Sequence, residues 1–132
     1  MRISGSALTA QRLRMDVGAG NIANADTTRV NGQRQPYQRQ QVVFEPLAPA
    51  PNSSGEGLKV ASIVTDQSAP RQVYDPTTAD ADPTTGLVAY PNVDTTTEMT
   101  DMLSASRAYE ANVTVLDSLK QMAQRSIDLG KA

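Results

Sequence analysis

The chain has no cysteine and no histidine. Without cysteine it can form no disulfide staple and offers no thiolate to a substrate or metal. Without histidine it lacks the commonest general base near neutral pH and the commonest transition-metal ligand. Asp, Glu and Lys remain, so catalysis is disfavoured and not abolished. Tryptophan is absent too, and the aromatic stock is four Tyr and one Phe. Hydrophobic residues make up 39% of the 132, below the ~45–50% of ordinary domains, so the core must be small for the length. No apolar run nears the ~18–20 residues that span a bilayer. Met1–Ala10 shows neither a continuous apolar stretch nor a secretory cleavage site, which implies a cytoplasmic chain unless export follows another route. A basic excess is also missing: 12 Lys and Arg stand against 14 Asp and Glu. A nucleic-acid surface or a polybasic membrane patch is not expected at that balance.

What is present divides into three parts and predicts an α+β chain. All eight prolines fall between positions 36 and 91, so long helices are confined to the two ends. From Ser4 to about Ala25, Leu8, Met15 and Ile22 recur every seven residues, and Ala10, Leu13 and Val17 form an adjacent stripe. That spacing is helical and not strand-like. Gly18 and Gly20 weaken the helix by ~1 kcal/mol each relative to Ala, but a glycine also lets another backbone come close. Between Asp26 and Asn92, β-favouring pieces at Gln41–Glu45, Leu58–Thr65, Gln72–Tyr74 and Leu87–Tyr90 predict a small hairpin or mini-sheet. Pro46–Gly57 reads as a mobile loop and Asp75–Pro83 as a turn cluster. A long C-terminal helix then runs to a stop at Gly130, capped by Asp94 or Thr95, with Thr95 and Glu98 in the positions of a capping box. The segments are 1–28, 29–92 and 93–132.

The C-terminal helix carries two heptad seams. Met99, Met102, Ser106, Tyr109, Val113, Leu116, Lys120, Ala123 and Ile127 form one, and Ala105, Ala108, Asn112, Val115, Leu119, Met122, Ser126 and Leu129 the other. A two-stranded coil needs one seam; two imply neighbours on two sides, although a double-width apolar face also suits an ordinary bundle helix. Length favours the first reading. About 35 residues at ~1.5 Å rise make a rod of ~53 Å, whereas a compact globule of this chain length is only ~36 Å across. The N-terminal helix, ~32 Å long, covers part of it. The remaining stripe calls for another chain.

Three other groups invite a chemical reading. Asp75, Asp80, Asp82 and Asp94 lack the ligand spacing of an EF-hand and read as solvated turn carboxylates. Arg29, Arg34 and Arg39 recur every five residues around Tyr37 and read as a protein-contact surface or as solvated charges. Asn21 and Asn24, followed by Asp26-Thr27-Thr28, read either as a local helix stop or as interhelical hydrogen bonds that fix register.

The same residues carry a resemblance. Ser6-Ala-Leu-Thr-Ala-Gln-Arg-Leu-Arg-Met-Asp-Val17 with Asn21-Ile-Ala-Asn-Ala-Asp-Thr-Thr28 resembles the N-terminal signature of the flagellar rod and hook axial proteins. Tyr90-Pro-Asn-Val93, followed by Glu98-Met-Thr-Asp-Met-Leu-Ser-Ala-Ser-Arg-Ala-Tyr-Glu-Ala-Asn-Val113, is similar to their C-terminal signature. The likeness covers roughly Ser4–Glu45 and Val73–Ile127. Gly18 and Gly20 stand where the family pattern has other small or polar residues, and Pro46–Gly57 matches no part of it. The resemblance implies a non-enzymatic structural subunit of the proximal rod, without cofactor or metal. Its terminal helices would pair as the inner layer of a hollow axial tube that transmits torque, with a β-rich outer layer. It further implies passage through the flagellar type III export apparatus without a cleaved signal. The implied neighbours are other copies of itself, the sister rod proteins FlgB, FlgF and FlgG, and the adaptor FliE at the membrane ring. The residues expected to carry assembly are Leu8, Leu13, Met15, Val17, Asn21, Ile22 and Asn24 on the first helix. On the second they are Met99, Met102, Tyr109, Asn112, Val113, Leu116, Leu119 and Ile127. A wall-lytic enzyme and a soluble chaperone-like binding module are the rival readings from other classes.

Overall fold

The computed structural model describes residues 2–46 and 58–131. Helix α1 spans Arg2–Ala23 and helix α2 Thr95–Gly130, with strands β1 (Gln40–Pro46), β2 (Leu58–Thr65), β3 (Arg71–Tyr74) and β4 (Leu87–Tyr90) between them. Of the loop expected at Pro46–Gly57, Pro46 closes β1 and the rest lies outside the described residues.

The first helix starts and stops two residues earlier than its pattern suggested, and Asn24 accounts for its end. Its Nδ2 donates to the Gly20 carbonyl at 2.9 Å, and its Oδ1 accepts from Thr27 Oγ1 at 3.2 Å. The side chain thereby takes up one of the last carbonyls of the helix and turns the backbone out. Helix α2 begins at an Asp94 cap, whose carboxylate accepts from the Thr96 N–H at 3.0 Å and the Thr97 hydroxyl at 3.1 Å. The expected Thr95–Glu98 capping box does not form: Glu98 is 3% exposed and bonded to Arg39 and Asn21 instead. A carboxylate one turn into a helix can serve the cap or a tertiary partner, and here a cation wins.

The middle forms two separate antiparallel pairs, β1–β2 and β3–β4, where the sequence suggested a small hairpin or mini-sheet. The split falls after Thr65, where Asp66 accepts from the Ser68 N–H at 2.9 Å and turns the chain ahead of Pro70. A two-stranded sheet is marginal alone, and β1 and β2 both rest on α1. Val42 and Phe44 are the half-buried residues of β1, between exposed neighbours. Asn31 and Gly32, at φ 52° and 77°, make the tight turn that pairs Val30 with Gln33, as a primed two-residue turn requires.

The two helices pack antiparallel along one another, Asn21 beside Glu98 and Gly18 beside Met102. The core is small, as the composition required. Among the described residues its buried hydrophobics are Ala10, Ala25, Ala81, Val88 and Ala105, and the largest fully buried side chains are Val88, Asn21 and Pro91. Close helix approach depends on Gly18, where an added Cβ would lie 2.9 Å from Met102 Cγ. Gly20 has nothing within 4 Å of the same position. Gly20→Ala should therefore stabilise the chain by up to ~1 kcal/mol through helix propensity. Gly18→Ala should lose that gain to overpacking, which costs ~1–3 kcal/mol. Paired thermal melts check this, and equal shifts of the same sign would show that the helices do not need the close approach.

Candidate assembly interface

The expected assembly residues divide along α2. Met102, Tyr109, Asn112, Val113, Leu116 and Leu119 are half-buried, on the stretch that runs beside α1. From Gln121 to Gly130 every residue is exposed, with Met122 at 62%, Ile127 at 59% and Leu129 at 78%. Both seams thus continue past the end of their intrachain support. Near the start of the helix Met99 and Leu103 are also exposed. On α1, Leu8, Leu13, Met15, Val17 and Ile22 are all half-buried, so none is sealed within the single chain.

Behind this surface lies a polar junction. Asn21 is 1% exposed. Its Nδ2 donates to the Gln40 carbonyl at 2.8 Å and reaches Glu98 Oε2 at 3.4 Å, while its Oδ1 accepts from the Gln40 N–H at 2.9 Å and the Tyr37 hydroxyl at 3.0 Å. The amide therefore pairs with one residue of β1 as a neighbouring strand would. Arg39 donates from Nε to Glu98 Oε1 and lies 3.5 Å from Asp66 and 4.0 Å from Asp101. Asp101 is in turn 3.8 Å from Arg14. Burial works to lower the Arg39 pKa, but hydrogen bonds and charge from Glu98 and Asp66 outweigh it and the net direction is up. Burial, and then the Glu98 charge, raises the Tyr37 pKa, so its hydroxyl stays a donor to Asn21.

A second clasp ties the turn before β4 to the segment after α1. Asp80 accepts from Thr28 Oγ1 at 2.6 Å and from Arg29 Nε, and Arg34 donates to the Ala81 carbonyl at 2.9 Å. The Thr28 hydrogen bond first, and then Arg29, hold the Asp80 carboxyl below its ordinary range. A depressed carboxylate contributes stability above the ordinary pKa of ~4 and loses it as pH falls through the lower folded value. Asp80→Asn should therefore narrow the stability gap to the parent chain as pH drops from about 4 toward 2. Melting curves across that range check the sign, and a gap that widens in acid would contradict it. Among the described residues no group of acidic side chains is placed to hold a metal ion, and the Asp75 and Asp82 carboxylates serve turns through Thr77 and Thr84.

The two ends of the chain match two protein-family models. Residues 1–29 match the family described as flagella basal body rod protein, and residues 84–129 match the flagellar basal body rod FlgEFG protein C-terminal family. Over nearly the full chain, the flagellar basal-body rod protein FlgC of Bacillus subtilis is 43% identical, covering 99% of this chain and 96% of its own length. That of Escherichia coli O6:H1 is 45% identical, at 98% and 94% coverage. That of Borreliella burgdorferi is 41% identical, at 96% and 93%. The chain belongs to the FlgC family of flagellar basal-body rod proteins. It is a structural subunit of the flagellar rod, an assembly of basal-body components.

Within this FlgC-family chain the structure separates residues that the sequence grouped together. Of the two asparagines, Asn24 caps its own helix and Asn21 bonds chiefly to Gln40 and Tyr37, with one contact to Glu98 on the other helix. Arg29, Arg34 and Arg39 each have an intrachain acceptor, Asp80, the Ala81 carbonyl and Glu98 respectively. Arg39 alone departs from the reading as solvated charge, since it is half-buried against Glu98, whereas Arg29 and Arg34 remain exposed while bonded within the chain. Glu98, Arg39, Tyr37 and Asp80 were missed as members of one or other polar cluster. The available signal was Glu98, a carboxylate one residue before Met99 in a helix read for its apolar seams.

Proposed function

We propose that the chain is a subunit of the proximal rod whose terminal helices form the inner layer of a hollow axial tube and transmit torque along it. The observation that carries this reading is the unsupported end of α2, where Met122, Ile127 and Leu129 stand exposed beyond the reach of α1. An exposed apolar stripe of that length marks a surface that a partner covers. Packed lengthwise, many small contacts must yield together before subunits shear, which suits a shaft under torque. In this arrangement segments 1–28 and 93–132 line the tube and 29–92 lies outside. The half-buried residues from Leu8 to Ile22 and from Met102 to Leu119, with exposed Met99 and Ile127, meet neighbouring subunits. Asn24 ends the first helix and Asn21 fastens that helix to β1. The neighbours are other copies, FlgB, FlgF, FlgG and FliE. The chain reaches the periplasm-crossing rod through the flagellar type III apparatus without a cleaved signal. It works by packing, without catalysis.

The test is a deletion strain complemented with a tagged chain, from which detergent-resistant basal bodies are prepared. Restored swimming and recovery of the tag in rods are expected. Complete rods formed without the chain, while the tag stays in the soluble fraction, would reject the reading. Wall-lytic activity of the purified chain would favour the enzyme rival.

A further inference from the structure

We propose that the cluster of buried Asn21 and Glu98 with half-buried Arg39 selects the axial register of α1 against α2, adding to the apolar contact that depends on register, Gly18 against Met102. Leu8, Met15 and Ile22 repeat at seven residues on α1, and Met102, Tyr109 and Leu116 repeat at seven on α2. Sliding one helix by a heptad, about 10 Å, again sets apolar residues against apolar residues. The fully buried hydrophobics that the two helices contribute are Ala10 and Ala105, and a methyl group offers little mechanical resistance to such a slip.

The polar groups do not repeat in this way. Seven residues from Glu98 within α2 stands Ala105, and seven from Asn21 within α1 stands Arg14. Slipped in one direction, Asn21 faces Ala105 and Glu98 passes the end of α1. Slipped in the other, Glu98 meets Arg14 while Asn21 passes the start of α2 and Arg39 loses its buried partner. The first move separates buried Glu98 from Arg39, and the second leaves Arg39 with Asp66 in place of its pair with Glu98. One buried polar group is enough to specify register in paired helices. Here the selector also includes a strand: Asn21 holds Gln40 through both its amide atoms, and the adjacent Arg39 brings the cation. The stagger of the helices and the seat of β1 on them are thereby set together.

The absence of native cysteine allows a clean test. Spin labels are placed through Asp16→Cys and Glu110→Cys, both on exposed positions, one on each helix. Electron–electron resonance distances are then measured in the full-length chain, alongside helix content by circular dichroism. The parent should give one population. Arg39→Met with Glu98→Leu should keep the helical signal but add a second population, displaced axially by about 10 Å. Glu98→Gln, isosteric and still hydrogen-bonding, should hold the single native separation. A single native population in the double variant would overturn the proposal. So would loss of its helical signal, because the pair would then hold the helices together and not choose between registers. The readout is on one chain and does not depend on rod assembly.

Discussion

Arg39→Ala is expected to destabilise the folded chain by ~3 kcal/mol, the low end of the range for removing one partner of a buried ion pair. In a chain of this size that corresponds to a fall of about 10 °C in melting temperature. The Glu98 side chain is 4% exposed and Arg39 20%, so truncating the arginine leaves a carboxylate that water reaches poorly. The Asn21 amide still faces Glu98 Oε2 at 3.4 Å, which keeps the effect from the upper end of the range. Arg29→Ala is the control. Its side chain is 47% exposed, so its ion pair with Asp80 is screened and contributes below ~1 kcal/mol. Thermal unfolding of both variants decides the matter: equal losses would mean that the depth of the Arg39 pair is not what stabilises it.

Met122→Asp combined with Ile127→Asp should abolish swimming and remove the chain from basal bodies while leaving its melting temperature within about 3 °C of the parent. Both positions are around 60% exposed, at 62% and 59%, and changes at exposed sites outside special features move stability by less than ~0.5 kcal/mol. In an assembled rod the same carboxylates would be buried against apolar neighbours without a counter-charge, which is costly. Charges at Val113 or Leu116 are a poorer test, because both are half-buried in the single chain and would disturb its own helix pairing. Full motility in the double variant would show that the distal stripe of α2 is not an assembly surface.

Much of the fold was legible because its strongest signals are local. Proline excludes helix wherever it falls, and all eight prolines lie between the helices. The strand limits came out within one residue at each end, since Val, Ile, Phe and Tyr cluster between turn residues. Partnership was not legible. Arg29, Arg34 and Arg39 look alike at regular spacing, yet one is set in a buried pair and two are on a surface clasp. Their acceptors, Asp80, Ala81 and Glu98, lie 47 to 59 residues away. Asn21 and Asn24 look equivalent too, but three residues in a helix amount to most of a turn. Asn21 faces β1 and α2 while Asn24 faces its own backbone.

The sequence alone determined the two helices, the four strands, the thin core and the surplus apolar surface of α2. Each follows from composition, from local clusters of β-favouring residues between turns or from a period of seven, and needs no knowledge of what lies opposite. Only the tertiary structure decided which polar side chains are buried together, why Glu98 leaves the cap for Arg39, and where α1 stops supporting α2. Those outcomes depend on distances between segments far apart in the chain. There the desolvation of a charge is offset by a specific partner, and no local pattern encodes that pairing.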